Sequence, residues 1–172
     1  MPARAIEIAR AAGQRLSASP FYDPNDTYDV FLCDTPALFA LFALWDHGVG
    51  GVSQVYLTGH VFLRPAHIDR DRLVGPSGNE ASGDRTLTYF LAHELTHTAT
   101  ARRLGRWHYF RLARWQQEGY ADYVAKGEHS DRSTSTPRFA IFARERRISI
   151  RLDRACICGT ICSSRTCSTT PA

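Results

Sequence analysis

His93-Glu94-Leu95-Thr96-His97 is the stretch on which the reading of this chain turns. It sets two imidazoles four residues apart, with a carboxylate beside the first. On an α-helix, residues i and i+4 share a face, so His93 and His97 can offer two nitrogens to one Zn²⁺. Zinc in a catalytic site takes three protein ligands and keeps water in the fourth position. That leaves Glu94 to act on the water and calls for one more ligand. Glu118, further along the chain, is the candidate. A random five-residue window matches this pattern on the order of one time in tens of thousands. The competing reading, a surface helix with two solvated histidines, is therefore the weaker one.

The flanks of the pentapeptide support a helix. Ser82-Gly83-Asp84-Arg85 resembles a helix start, with Ser82 or Asp84 as the expected N-cap. From Thr86 onward, Leu87, Phe90, Leu91, Leu95 and Thr98 recur at helical spacing and form a core-facing stripe. His93, His97, Tyr89 and Thr100 fall on an adjacent face, which is expected to be free, with Glu94 at the boundary. Gly105 is the expected C′ residue, and Arg102 and Arg103 suit the negative end of the helix dipole.

A second helix is expected over residues 115–126, stopped by Gly127. Glu118 and Asp122 are again i and i+4, with Ala121 and Ala125 on the same side. Gly119 costs about 1 kcal/mol of helix propensity against alanine. Small residues around Glu118 make sense if this helix must approach the first closely. Asp122, one turn beyond Glu118, is placed to accept the second ring N–H of His93 or His97, which would fix the tautomer and raise the basicity of that ring. The bland alternative is a helix with two solvated acids.

HELTH at 93–97 followed by WQQEGYADY at 115–123 resembles the gluzincins, the thermolysin-like zinc metallopeptidases, and within them the small peptidase-MA-like proteins. The resemblance covers residues 85–126. It implies one Zn²⁺ held by His93, His97 and Glu118, with Glu94 as general base and Asp122 as the outer acid. It also implies a peptide or protein substrate. Thermolysin-like enzymes carry a large helical domain that supplies an oxyanion donor, and this chain is too short for one. Tyr120, Tyr123 and His108 are the nearby donor candidates.

At 172 residues the chain fits one domain, long enough to bury about two thirds of its unfolded surface. The expected division is a single zincin-like domain over residues 1–130 and an irregular Arg/Ser/Cys-rich tail over residues 131–172. A helix is expected over residues 3–16, with Ile6, Ile8, Ala9 and Leu16 apolar, and a strand over residues 28–33. Thr35-Pro36 opens a helix with proline at N1, running as core to about Trp45. Gly48, Gly50 and Gly51 break it. Residues 54–57 and 60–63 are two further strand candidates. This order gives an α+β fold: a small sheet with an edge strand packed on the HExxH helix and on a second, Glu-bearing helix. Val61-Phe62-Leu63 is the candidate edge to which a peptide would add as an extra strand, with an internal strand as the alternative. His60 and His67 lack a partner at ligand spacing.

A net charge of +4 with dispersed arginines does not argue for nucleic acid, and the cluster at Arg144, Arg146, Arg147, Arg151 and Arg154 reads as a solvated segment. No apolar run reaches the 18 or so residues of a membrane helix, and the N-terminus has no signal-peptide core. The sequence as written is expected to be cytoplasmic, with an upstream signal or anchor outside it as the alternative. Cys156, Cys158, Cys162 and Cys167 lack the paired C-x2-C knuckles of a strong zinc motif. A second zinc site, disulfides and an aberrant gene end are the three readings of that tail. For the whole chain the favoured expectation is a zinc-dependent peptidase. Its rivals are a catalytically inactive, zinc-stabilised binding module and a basic interaction protein whose HExxH is accidental.

Overall fold

The structure is a computed structural model and describes residues 3–44, 48–127 and 156–158. Helices α1 (Ala3–Ser17) and α3 (Leu87–Leu104) pack on one face of a four-stranded sheet, and α5 (Arg114–Lys126) packs on α1 and α3. The strands are β1 (Asp29–Leu32), β2 (Gly51–Ser53), β3 (Val61–Leu63) and β6 (Cys156–Cys158), in the order β2-β3-β1-β6. β1 runs parallel to β3, with Val30 beside Val61 and Leu32 beside Leu63. β2 is antiparallel to β3, and β6 is parallel to β1. The mixture of helices with a small sheet matches the expected α+β class. Within the expected tail, β6 therefore joins the sheet, while residues 128–155 and 159–172, including Cys162, Cys167 and the late arginines, lie outside the described residues.

The two faces of the sheet explain which residues are buried. Val30, Val61 and Leu63 meet Ile8, Leu16, Leu91 and Leu95 in the main core. Phe62 points the other way, stacks on Phe42 at 4.0 Å between ring centroids, and joins Phe39 and Cys33 in a second cluster under α2 (Pro36–Phe42). All three residues of β3 are buried because helices cover both of its faces and strands flank both of its edges. The expectation of Val61-Phe62-Leu63 as the edge is thus corrected: β3 is internal, and the edge strand on the helix side is β2.

The strand expected at residues 54–57 lies three residues earlier, at Gly51–Ser53. Residues 54–59 instead form a turn in which Gln54 O accepts from the N–H groups of Leu57 and Gly59, with Gly59 at φ +76°. α2 opens as expected, with Thr35 Oγ1 accepting from Leu38 N at 3.2 Å, but it closes at Phe42, and Leu44 sits at a left-handed φ of 51°. Its buried residues are Phe39 and Ala40, whereas Leu41 is 59 % exposed, so this helix is a cover for the sheet and not core throughout. In α1 the buried positions are Ala5, Ile8, Ala12, Gly13 and Leu16, and Ile6 faces water.

α3 is the centre of the fold. α1, α5, α4 (Arg106–Arg111) and β2 all pack on it, so the expectation of a free flank gives way to burial on nearly every side. Its N-cap is Thr86, not Ser82 or Asp84: Thr86 Oγ1 accepts from Tyr89 N at 3.1 Å. The next amides go to Asp71, whose carbonyl accepts from Leu87 N at 3.0 Å and whose Oδ1 accepts from Thr88 N at 2.8 Å. Asp71 reaches them from a small ladder of β4 (Ala66–His67) and β5 (Arg72–Leu73) that no periodicity announced. Gly105, at φ +83°, ends α3 as expected. Gly127, at φ +68°, ends α5, where Arg15 Nη1 donates to the Ala125 carbonyl at 2.6 Å. Among the described residues, no helix is long and apolar enough to cross a membrane.

Candidate metal centre

α3 and α5 face each other in opposite senses, and the fully buried Ala121 and Ala125 sit on the packed side of α5. Across this seam His93, His97 and Glu118 converge. His93 Nε2 lies 3.0 Å from His97 Nε2 and 3.3 Å from Glu118 Oε2, and His97 Nε2 lies 3.8 Å from the same carboxylate oxygen. A tetrahedral zinc site with bonds of about 2.0–2.1 Å has edges of about 3.3 Å. The observed spacings bracket that value, so the trio could hold a metal ion. The two imidazoles are mostly buried and Glu118 is half exposed, which leaves the convergence point accessible from one side.

The outward nitrogens of the two rings meet different neighbours. His93 Nδ1 lies 3.1 Å from Asp122 Oδ1, close enough for ionic contact but out of line for a hydrogen bond. Tyr89 donates its hydroxyl to the same Asp122 oxygen and so anchors it. His97 Nδ1 meets Tyr109 Oη at 2.5 Å. With Nε2 turned to the convergence point, Nδ1–H of His97 would donate to that phenol. Burial drives down the pKa of His97, with the charge of His93 adding to it, to about 4. Burial acts on His93 in the same direction, but Glu118, Glu94 and Asp122 outweigh it, and its pKa ends above the ordinary value. The hydrogen bond from His93 is the main reason the Glu118 carboxyl is held below its usual range.

Glu94 is 6 % exposed, and burial pushes its pKa up. Ser53 of β2 holds it: the serine Oγ lies 2.6 Å from Glu94 Oε2 and 2.7 Å from the Glu94 carbonyl, with one proton to share between them. β2 comes this close because it carries glycine. A Cβ on Gly51 would stand 2.7 Å from Glu94 Cγ, and one on Gly50 would stand 2.3 Å from the Phe90 ring. Space, and not backbone conformation, is what glycine supplies here.

These groups line a cleft of about 490 Å³ between β2 on one side and α3 and α5 on the other. The anticipated donors Tyr120, Tyr123 and His108 are not among its lining residues. The Tyr120 hydroxyl pairs with Ser19 at 2.7 Å, and His108 is exposed on α4. Tyr109 does line the cleft, though its hydroxyl addresses the back of His97.

His93, Glu94, His97, Glu118 and Asp122 are thus brought together, as the spacing of the two helices requires. Sequence reasoning missed Ser53 and Tyr109, and placed Tyr89 on the site face without a partner. Tyr89 was within reach of inference, because it precedes His93 by one turn. Ser53 and Tyr109 arrive from elements whose placement no local pattern encodes. Comparison with protein-family models, with curated proteins and with solved structures finds no match to this chain.

Proposed function

We propose that the protein is a zinc-dependent peptidase of gluzincin type. The observation that carries this reading is the juxtaposition of a three-donor set, His93, His97 and Glu118, with the buried carboxylate of Glu94 in an open cleft below an edge strand. Zinc bound at that set would act as a Lewis acid on the scissile carbonyl and acidify a water. Glu94, its pKa raised by burial, takes the proton from the attacking water and returns it to the leaving amine. Ser53 keeps that carboxylate from rotating away. Tyr109 holds the ring orientation of His97, and Asp122 sets a carboxylate 3.1 Å behind His93 Nδ1. An extended peptide would pair along β2, the outer strand on this side of the sheet, with its carbonyl carried across the mouth of the site.

The test is digestion of a broad peptide library by zinc-loaded protein and by its Glu94→Gln variant. Glu94→Gln is expected to keep one zinc per chain and to lose turnover by about 10²- to 10⁴-fold, the range of general-base catalysis. Undiminished cleavage by Glu94→Gln would remove the base assignment. A zinc-loaded wild type that cuts nothing would leave the site as a structural zinc centre in a binding module.

A further inference from the structure

The charged residues that line the cleft divide into two sets. Glu94, Glu118 and Asp122 are engaged with Ser53, with the two histidines and with Tyr89. Arg85 and Arg114 also line it; the charge of Arg114 reaches Glu118 and that of Arg85 reaches Tyr89, but neither guanidinium is drawn into the three-donor set. Both are exposed, and neither enters a salt bridge among the described residues.

The antiparallel course of α3 and α5 puts these arginines at opposite ends. Tyr89 meets Asp122, His93 meets both Asp122 and Glu118, and His97 meets Glu118, so ascending α3 means descending α5. Arg85 immediately precedes the cap of α3, beyond Tyr89. Arg114 is the first residue of α5, beyond Glu118. At 1.5 Å per helical residue, Leu87 stands roughly 9 Å from His93, with Arg85 two residues beyond it across the extended cap, and Arg114 stands roughly 6 Å from Glu118. An extended peptide advances about 3.3 Å per residue. Those offsets correspond to about four residues on one side of the reacting bond and about two on the other.

Charge balance points the same way. The two arginines fall one charge short of the three carboxylates, and a divalent ion held by the three-donor set would turn that balance to net positive. We infer that the substrates are acidic peptides, with Asp or Glu on both sides of the scissile bond, read by Arg114 on the near side and Arg85 on the far side. This rests on the peptidase reading.

The experiment uses zinc-loaded full-length protein and quenched fluorescent peptides that differ only in carrying Glu or Lys at the positions given above. Glu peptides are expected to be cut faster by about fivefold for each arginine engaged, as for a partly exposed ion pair. Arg114→Glu should reverse the preference at the near position alone, and Arg85→Glu at the far position alone, with circular dichroism verifying that each variant is folded. Equal rates for Glu and Lys peptides, or a preference that survives both reversals, would overturn the inference. Fluorescence anisotropy of the same peptides on zinc-loaded Glu94→Gln protein separates the two readings. Selective binding of Glu peptides without any cleavage by wild type would keep the charge inference and remove the peptidase. Binding with no charge preference would remove the inference whatever the turnover.

Discussion

His93 and His97 are the same residue on the same helix, one turn apart, and yet they stand in different surroundings. His93 is backed by a carboxylate, Asp122, which Tyr89 pins in place. His97 is backed by the phenol of Tyr109 in a buried wall. The carboxylates around His93 lift its pKa above the ordinary value despite burial, whereas nothing comparable offsets burial at His97. A histidine pair symmetric in sequence is therefore asymmetric in electrostatics. The anion behind His93 makes that ring the stronger donor, and the neutral hydroxyl behind His97 fixes its angle at smaller electrostatic gain.

The largest effect should come from removing either ring. His93→Ala and His97→Ala each leave two donors of three, and metal analysis should fall from one zinc per chain to near none. Retention of stoichiometric zinc by either variant would take that histidine out of the ligand set. A smaller effect should separate the two backing residues. Asp122→Asn is expected to weaken zinc affinity by about 10- to 100-fold, and Tyr109→Phe by less, as read by competition with a chromophoric chelator. If Tyr109→Phe costs as much as Asp122→Asn, the asymmetry is not electrostatic.

The smallest effect is on stability with pH in the chelator-treated protein. The folded chain refuses a proton at His97 until about pH 4, while the unfolded chain accepts one near 6.5. Acidification through that window therefore favours the unfolded state. His93 acts oppositely: its folded value lies above 6.5, so it adds stability that is complete below 6.5 and is lost as pH rises through the raised folded value. Thermal melts between pH 6.5 and 4 should decline less steeply in His97→Gln than in wild type. Parallel curves in the two proteins would contradict the lowered value at His97.

Much of the site could be read without coordinates because its groups lie on two helices, where spacing dictates direction. His93 and His97 at i and i+4, and Glu118 and Asp122 at i and i+4, leave one way for the helices to meet that brings all four inward. Gly105 and Gly127 marked the helix ends correctly, since each takes a positive φ that other residues resist. The cap of α3 was misread. Ser82 and Asp84 have the right chemistry, but Thr86 and Asp71 supply the oxygens, and Asp71 does so from a separate ladder. Gln54, Val55 and Tyr56 have strand-like character, yet the strand forms at Gly51–Ser53, because only residues without a Cβ can lie that close to Phe90 and Glu94.

Helical periodicity alone put His93 and His97 on one face of one helix and Glu118 and Asp122 on one face of another, because local backbone geometry converts residue spacing into direction. Only the tertiary structure decided that β2 is the near edge, that Ser53 holds Glu94, that Tyr109 backs His97, and that Arg85 and Arg114 stand at opposite ends of one cleft. Those contacts join residues distant along the chain, and their partners are chosen by how the elements pack and not by any spacing within one of them.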